Sequence, residues 1–91
     1  MTWKIEISCK AEKQLKELNK SLRTRIIQFL KERVQPAADP RRLAKSLKGD
    51  KGGLWRFRVG DYRIICDIRG EEIKILVLTI GHRKEIYKKT R

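Results

Sequence analysis

The chain has 91 residues, with 24 lysines and arginines against 11 aspartates and glutamates, for a formal net charge of +13. That length supports one domain, residues 1–91, around a single modest core, and no apolar run is long enough to cross a membrane. Residues 1–50 carry 13 basic and 6 acidic side chains (+7) and residues 51–91 carry 11 and 5 (+6), so the excess is spread over the chain and not held in a tail.

A net charge this far above the roughly 2–8 that suits a small soluble domain steers the chain toward polyanions, meaning nucleic acid, an acidic protein or an anionic membrane; nucleic acid or an acidic protein is the expected partner, and a membrane is not. The first ten residues alternate polar and apolar with no signal-peptide pattern, so a cytoplasmic location is expected. Cys9 and Cys66 lie far apart, without metal-ligand spacing or a histidine nearby; free thiols in a reducing compartment are expected, with no metal and no cofactor.

Trp3, Ile5 and Ile7 alternate with Lys4 and Glu6, the period of a half-buried strand. Ser8 is placed to cap a short amphipathic helix over residues 9–18, with Ala11, Leu15 and Leu18 on its apolar side. Asn19 breaks it. A second helix is predicted over residues 21–34, where Leu22, Ile26, Phe29, Leu30 and Val34 form one stripe and Pro36 stops the run. The short link makes the two a hairpin. Asp39-Pro40 can start a helical turn through Leu43 and Leu47, and Gly49, Gly52 and Gly53 loosen the chain after it.

From Leu54 the period changes to two. Residues 54–59, 62–69 and 73–80 read as strands joined by turns at Gly60-Asp61 and Gly70-Glu71. The last is apolar on both faces and belongs inside the sheet. The expected fold is α+β: an N-terminal strand completes a four-stranded antiparallel sheet, the helical hairpin packs on one face, and a short charged tail follows from Lys84.

In the first of these strands, alternation sends Trp55, Phe57 and Val59 to one face and Arg56 and Arg58 to the other. The two arginines then stand about 7 Å apart, twice the rise per residue, close to the separation of successive phosphates on one nucleic-acid strand. Across the turn Arg63 can join them. Clustered guanidiniums repel each other, so the arrangement suggests an anionic ligand. Edge protection also places basic residues on strands, but it does not call for charge on an inner one. The second constellation is Gly81-His82-Arg83-Lys84-Glu85-Ile86-Tyr87. Gly81 permits a sharp exit from the sheet. His82 is the only histidine, the side-chain type whose ordinary pKa lies near neutrality, and Tyr87 offers a ring for stacking and a hydroxyl for proton transfer.

The run over residues 54–65, Leu-Trp-Arg-Phe-Arg-Val-Gly-Asp-Tyr-Arg-Ile-Ile, resembles the core motif of the RelE/ParE toxin superfamily, as does its lead-in Leu47-Lys48-Gly49. The ending from Gly81 to Tyr87 resembles that of the RelE branch, and the order of elements agrees along nearly the whole chain. The resemblance implies the toxin of a type II toxin–antitoxin system, an endoribonuclease that cuts messenger RNA in the ribosomal A site by attack of a ribose 2′-hydroxyl. It implies a RelB-like cognate antitoxin, the ribosome and mRNA as partners. It places Arg56, Arg58 and Lys48 against RNA, Arg63 on the phosphate, Arg83 near the leaving group and Tyr87 on a base or in proton transfer, with His82 beside them. Some relatives have lysine where this chain has Arg56 and Arg58. Arginine does not give up its proton, so the general base falls to Tyr87, His82 or a ribosomal group. Two other readings stand beside this one: a ParE-like inhibitor of DNA gyrase without nuclease activity, and a plain RNA-binding protein. Only six aromatic side chains, most assigned to the core, speak against the last.

Overall fold

The computed structural model describes residues 2–47 and 53–82. Strand β1 (Lys4–Ile7) leads through Ser8 into helix α1 (Cys9–Glu17). Ser8 caps that helix as expected, its Oγ accepting from the Ala11 amide at 3.1 Å, and the same hydroxyl donates to the Leu78 carbonyl at 2.9 Å. Asn19 does more than end α1. Its side chain accepts from the Leu22 amide at 2.9 Å and so caps helix α2 (Lys20–Phe29).

The helix expected over residues 21–34 changes character at its end. Leu30–Val34 is a π turn, closed by the Gln35 amide on the Leu30 carbonyl at 2.9 Å. The wider turn still buries both Leu30 and Val34. It also delivers Gln35 to Trp3: the Trp3 amide donates to the Gln35 carbonyl at 3.0 Å and Gln35 Nε2 donates back to the Trp3 carbonyl at 3.0 Å. A stripe of apolar residues cannot distinguish these helix types, because Ile26, Leu30 and Val34 face the core in either.

Asp39 caps a 3₁₀ turn at Pro40–Leu43, accepting from the Arg41 amide at 3.1 Å. The turn does not continue to Leu47. The chain extends instead into strand β2 (Lys45–Ser46), too short to show a period. Strands β3 (Leu54–Val59), β4 (Tyr62–Arg69) and β5 (Lys74–His82) follow. Gly60 turns the β3–β4 hairpin at φ +60, as the first position of a type II′ turn requires. The β4–β5 connection is longer than a two-residue turn: a 3₁₀ turn at Gly70–Glu72, then Ile73 at φ 50, so β5 begins one residue later than expected.

Among the described residues the sheet has five strands in the order β1-β5-β4-β3-β2. It is not wholly antiparallel, for β1 runs parallel to β5, with Ile5 beside Ile75 and Ile7 beside Val77. Period-two patterning reports which face a residue occupies but not strand direction, which here follows from the helical hairpin carrying the chain away between β1 and the meander. As expected, β5 is internal. α1 packs over β5 and α2 over β3. Phe57, Ile64, Ile75, Val77 and Ile80 meet Ala11, Leu15, Ile26 and Leu30 in one core, with Phe29 edge-on to Phe57 at a centroid distance of 5.8 Å. Both cysteines are free, and burial pushes the Cys66 thiol well above its ordinary pKa, which keeps it unreactive. Among the described residues, no helix is long and apolar enough to cross a membrane.

β1 ends at Ile7, opposite Val77, so among the described residues β5 continues past it without a strand on that side. Gln14 of α1 covers the gap: its Oε1 accepts from the Ile80 amide at 2.7 Å and from Thr79 Oγ1 at 3.1 Å. Gln14→Ala removes the acceptor from both donors. We expect it to destabilise the protein by about 1–3 kcal/mol and to speed hydrogen exchange at Ile80; unchanged exchange there would contradict the bridging role.

Candidate functional site

The helices cover one face of the sheet. On the other, the β3–β4 register sets Arg58 directly opposite Arg63 and Arg56 opposite Ile65. β2 adds a further cation, because Lys45 pairs with Arg56. Register partners in an antiparallel ladder share a face, so Lys45, Arg56, Arg58 and Arg63 form one cationic surface. The segment carrying Arg42 and Lys45 rises beside it and closes a cleft of about 220 Å³ lined by Arg42, Leu43, Ala44, Lys45, Arg56, Arg58 and Arg63. No carboxylate lines it among the described residues.

Arg63 lies at the bottom. It is only 6% exposed, and its Nε and Nη1 have no hydrogen-bond partner. A buried guanidinium without an acceptor is costly. The β5 residue opposite it is Gly81, which brings no side chain to the same face. Arg58 is exposed at the rim, with its Nε 3.4 Å from the Gly60 carbonyl. The arrangement offers an anion one buried donor array at its floor and several further cations at its walls, with no carboxylate among the described lining residues. It is suited to bind a phosphate and to stabilise added negative charge on it.

The arginines expected to cluster therefore do so, but His82 does not join them. β5 runs on through Gly81 without a sharp exit, and His82 pairs with Tyr62 on the helix-facing side, the two rings edge-on at 5.5 Å. Lys48, Arg83, Tyr87 and the tail from Lys84 lie outside the described residues. Arg42 and Lys45 escaped the sequence reading. Their only signal was the basic run Arg41-Arg42 with Lys45 shortly after it, and two residues of strand give no alternation from which to assign a face.

A family model described as the ParE toxin of type II toxin–antitoxin systems, parDE, matches residues 5–87. Toxin RelG of Mycobacterium tuberculosis is 24% identical over 89 residues, covering 98% of this chain and 100% of that protein. The crystal structure of the RelBE2 toxin–antitoxin complex from M. tuberculosis aligns with a TM-score of 0.82 at 22% identity, covering 91% of this chain and 93% of that one. The archaeal RelE–RelB complex from Pyrococcus horikoshii aligns with a TM-score of 0.68 at 28% identity, over 91% and 97% of the two chains. A match that spans nearly the whole chain, on a fold whose open face is a cleft of arginines, makes this protein a member of the ParE toxin family, a type II toxin of the RelE/ParE superfamily.

Proposed function

We propose that this toxin is a ribosome-dependent endoribonuclease that cleaves messenger RNA in the A site and so inhibits translation. One observation carries the reading: the buried Arg63 guanidinium, with two nitrogens lacking acceptors, on the floor of a cleft walled by cations. In the proposed reaction the ribose 2′-oxygen bonds to the adjacent phosphorus and the bond to the 5′-oxygen breaks. A 2′,3′-cyclic phosphate and a free 5′-hydroxyl result. Arg63 and Arg58 hold the phosphate and offset the charge that builds on the phosphorane. Arg56 and Lys48 bind the RNA strand. Arg83 stands near the leaving oxygen, and Tyr87 stacks on a base or moves a proton. His82 faces the helices, away from Arg63, so in this reading the 2′-proton passes to Tyr87 or to a ribosomal group.

Several of the solved relatives, those from M. tuberculosis, Pyrococcus horikoshii and Methanococcus jannaschii among them, are complexes of a toxin with its antitoxin. A RelB-like cognate antitoxin is accordingly the proposed partner of this chain, with an acidic segment that neutralises the cleft, and the cytoplasm the proposed location. The description of the matching family favours a second reading, a gyrase inhibitor of the ParE kind.

Primer extension on a translated message, made during expression of the toxin, separates the two. Discrete cleavage within codons is expected from the wild type, with a loss of about 10²–10⁴-fold in Tyr87→Phe if its hydroxyl moves a proton. Growth arrest with intact message and impaired DNA supercoiling would replace this reading with the gyrase one.

A further inference from the structure

The cleft holds more positive charge than one phosphate needs. Its described lining brings five cations, Arg42, Lys45, Arg56, Arg58 and Arg63, and no carboxylate. They are not scattered. Two register pairs order four of them: Arg58 with Arg63, and Lys45 with Arg56. Partners within a pair have Cα atoms about 4.5–5.5 Å apart. The pairs are separated by two residues along β3, or about 7 Å, the interval already noted for adjacent phosphates on an extended strand. Like charges placed directly opposite each other destabilise a sheet, and this one does so twice on one face.

We propose that the Arg42–Lys45 segment makes the cleft a two-phosphate site. Arg58 and Arg63 hold the reacting phosphate. Lys45 and Arg56, overlooked by Arg42, hold its neighbour along the same strand. The inference rests on the RNA-cleavage reading and adds to it a positioning role for Lys45 and Arg42. Fixing two successive phosphates sets both the register and the direction of the strand over Arg63, which a single phosphate contact leaves free to rotate.

The test uses the full chain at low salt, titrated calorimetrically with adenosine 5′-monophosphate and with adenosine 3′,5′-bisphosphate, whose two phosphates flank one nucleoside. Wild-type protein should bind the bisphosphate about tenfold tighter, the equivalent of one further charge-assisted contact. Lys45→Gln should shrink that preference to about threefold or less and lower monophosphate affinity far less. Lys45 is exposed on a two-residue edge strand, so the variant should fold, with a thermal melt as the check. Arg63→Gln should weaken both ligands. A wild-type protein that binds the two ligands equally, or a bisphosphate preference that survives Lys45→Gln, overturns the two-phosphate site. Either result alongside intact cleavage of translated message leaves the RNA reading standing. If neither ligand binds and the message stays whole, both fall together.

Discussion

Arg63→Met is expected to make the protein more stable and to slow the proposed cleavage of RNA in the same step. Arg63 is buried to 6% exposure, its register partner Arg58 carries the same charge, and its Nε and Nη1 find no acceptor. Each of these opposes folding. Desolvating a guanidinium costs several kcal/mol, and like charges placed opposite each other on a ladder repel. Methionine keeps most of the length and apolar volume of the stem while removing the charge. Exchanging buried charge for packed apolar atoms commonly gains about 1–4 kcal/mol. In a domain of this size each kcal/mol raises the melting temperature by about 4–8 °C. The same change removes the floor of the anion cleft, and losing such a donor should slow cleavage by about 10²–10³-fold.

Two measurements suffice: a thermal melt and primer extension on a translated message. A second melt series, with inorganic phosphate added, ties the two effects together. Phosphate should raise the wild-type melting temperature by mass action and leave that of Arg63→Met nearly unmoved. A variant that melts lower than wild type would mean that Arg63 is a structural residue with a partner, and the cleft would lose its main support as a phosphate site.

What the sequence made legible follows from which signals survive in a short chain. Alternation in Trp55-Arg56-Phe57-Arg58-Val59 assigns each residue a face without knowledge of the neighbours, so the arginine surface could be anticipated. The Gly60-Asp61 turn then fixes the register that carries Arg63 to Arg58. Three features were beyond that reach. The parallel pairing of β1 with β5 joins residues some 70 positions apart, and alternation carries no direction. The two residues of β2 are too few to show a period, which hid Lys45 and, beside it, Arg42. His82 was grouped by its place in the sequence with Arg83, whereas the strand continues through Gly81 and turns His82 to the opposite face from Arg63. Chain proximity and face are different things on a strand, since each step of one residue changes sides. Beyond these three, no local pattern marks Arg63 as a cation that the fold will enclose with Nε and Nη1 unpartnered.

The largest loss of stability is expected from Phe57→Ala, and the reason lies in the same strand. Phe57 is fully buried between Arg56 and Arg58 in sequence, and it meets Phe29 of α2 edge-on at 5.8 Å. Its ring joins the helical layer to the strand whose other face is the cleft. Truncating a buried phenylalanine costs about 3–5 kcal/mol, from lost transfer energy and the cavity left behind. Total stability for a chain of this length is about 5–13 kcal/mol, so the variant should sit near its unfolding threshold at 37 °C. Phe57→Leu, which keeps most of the volume, should lose about 1–2 kcal/mol. Urea denaturation of the three proteins gives the comparison, with a midpoint order of wild type, Phe57→Leu, Phe57→Ala. Phosphate binding at low temperature gives the functional half of the test. If β3 holds its arginines in place through Phe57, then Phe57→Ala should bind phosphate more weakly even where it is still folded. Affinity equal to wild type in the folded variant would show that the β3–β4 ladder alone positions Arg56, Arg58 and Arg63, and that the core beneath them contributes stability but not geometry.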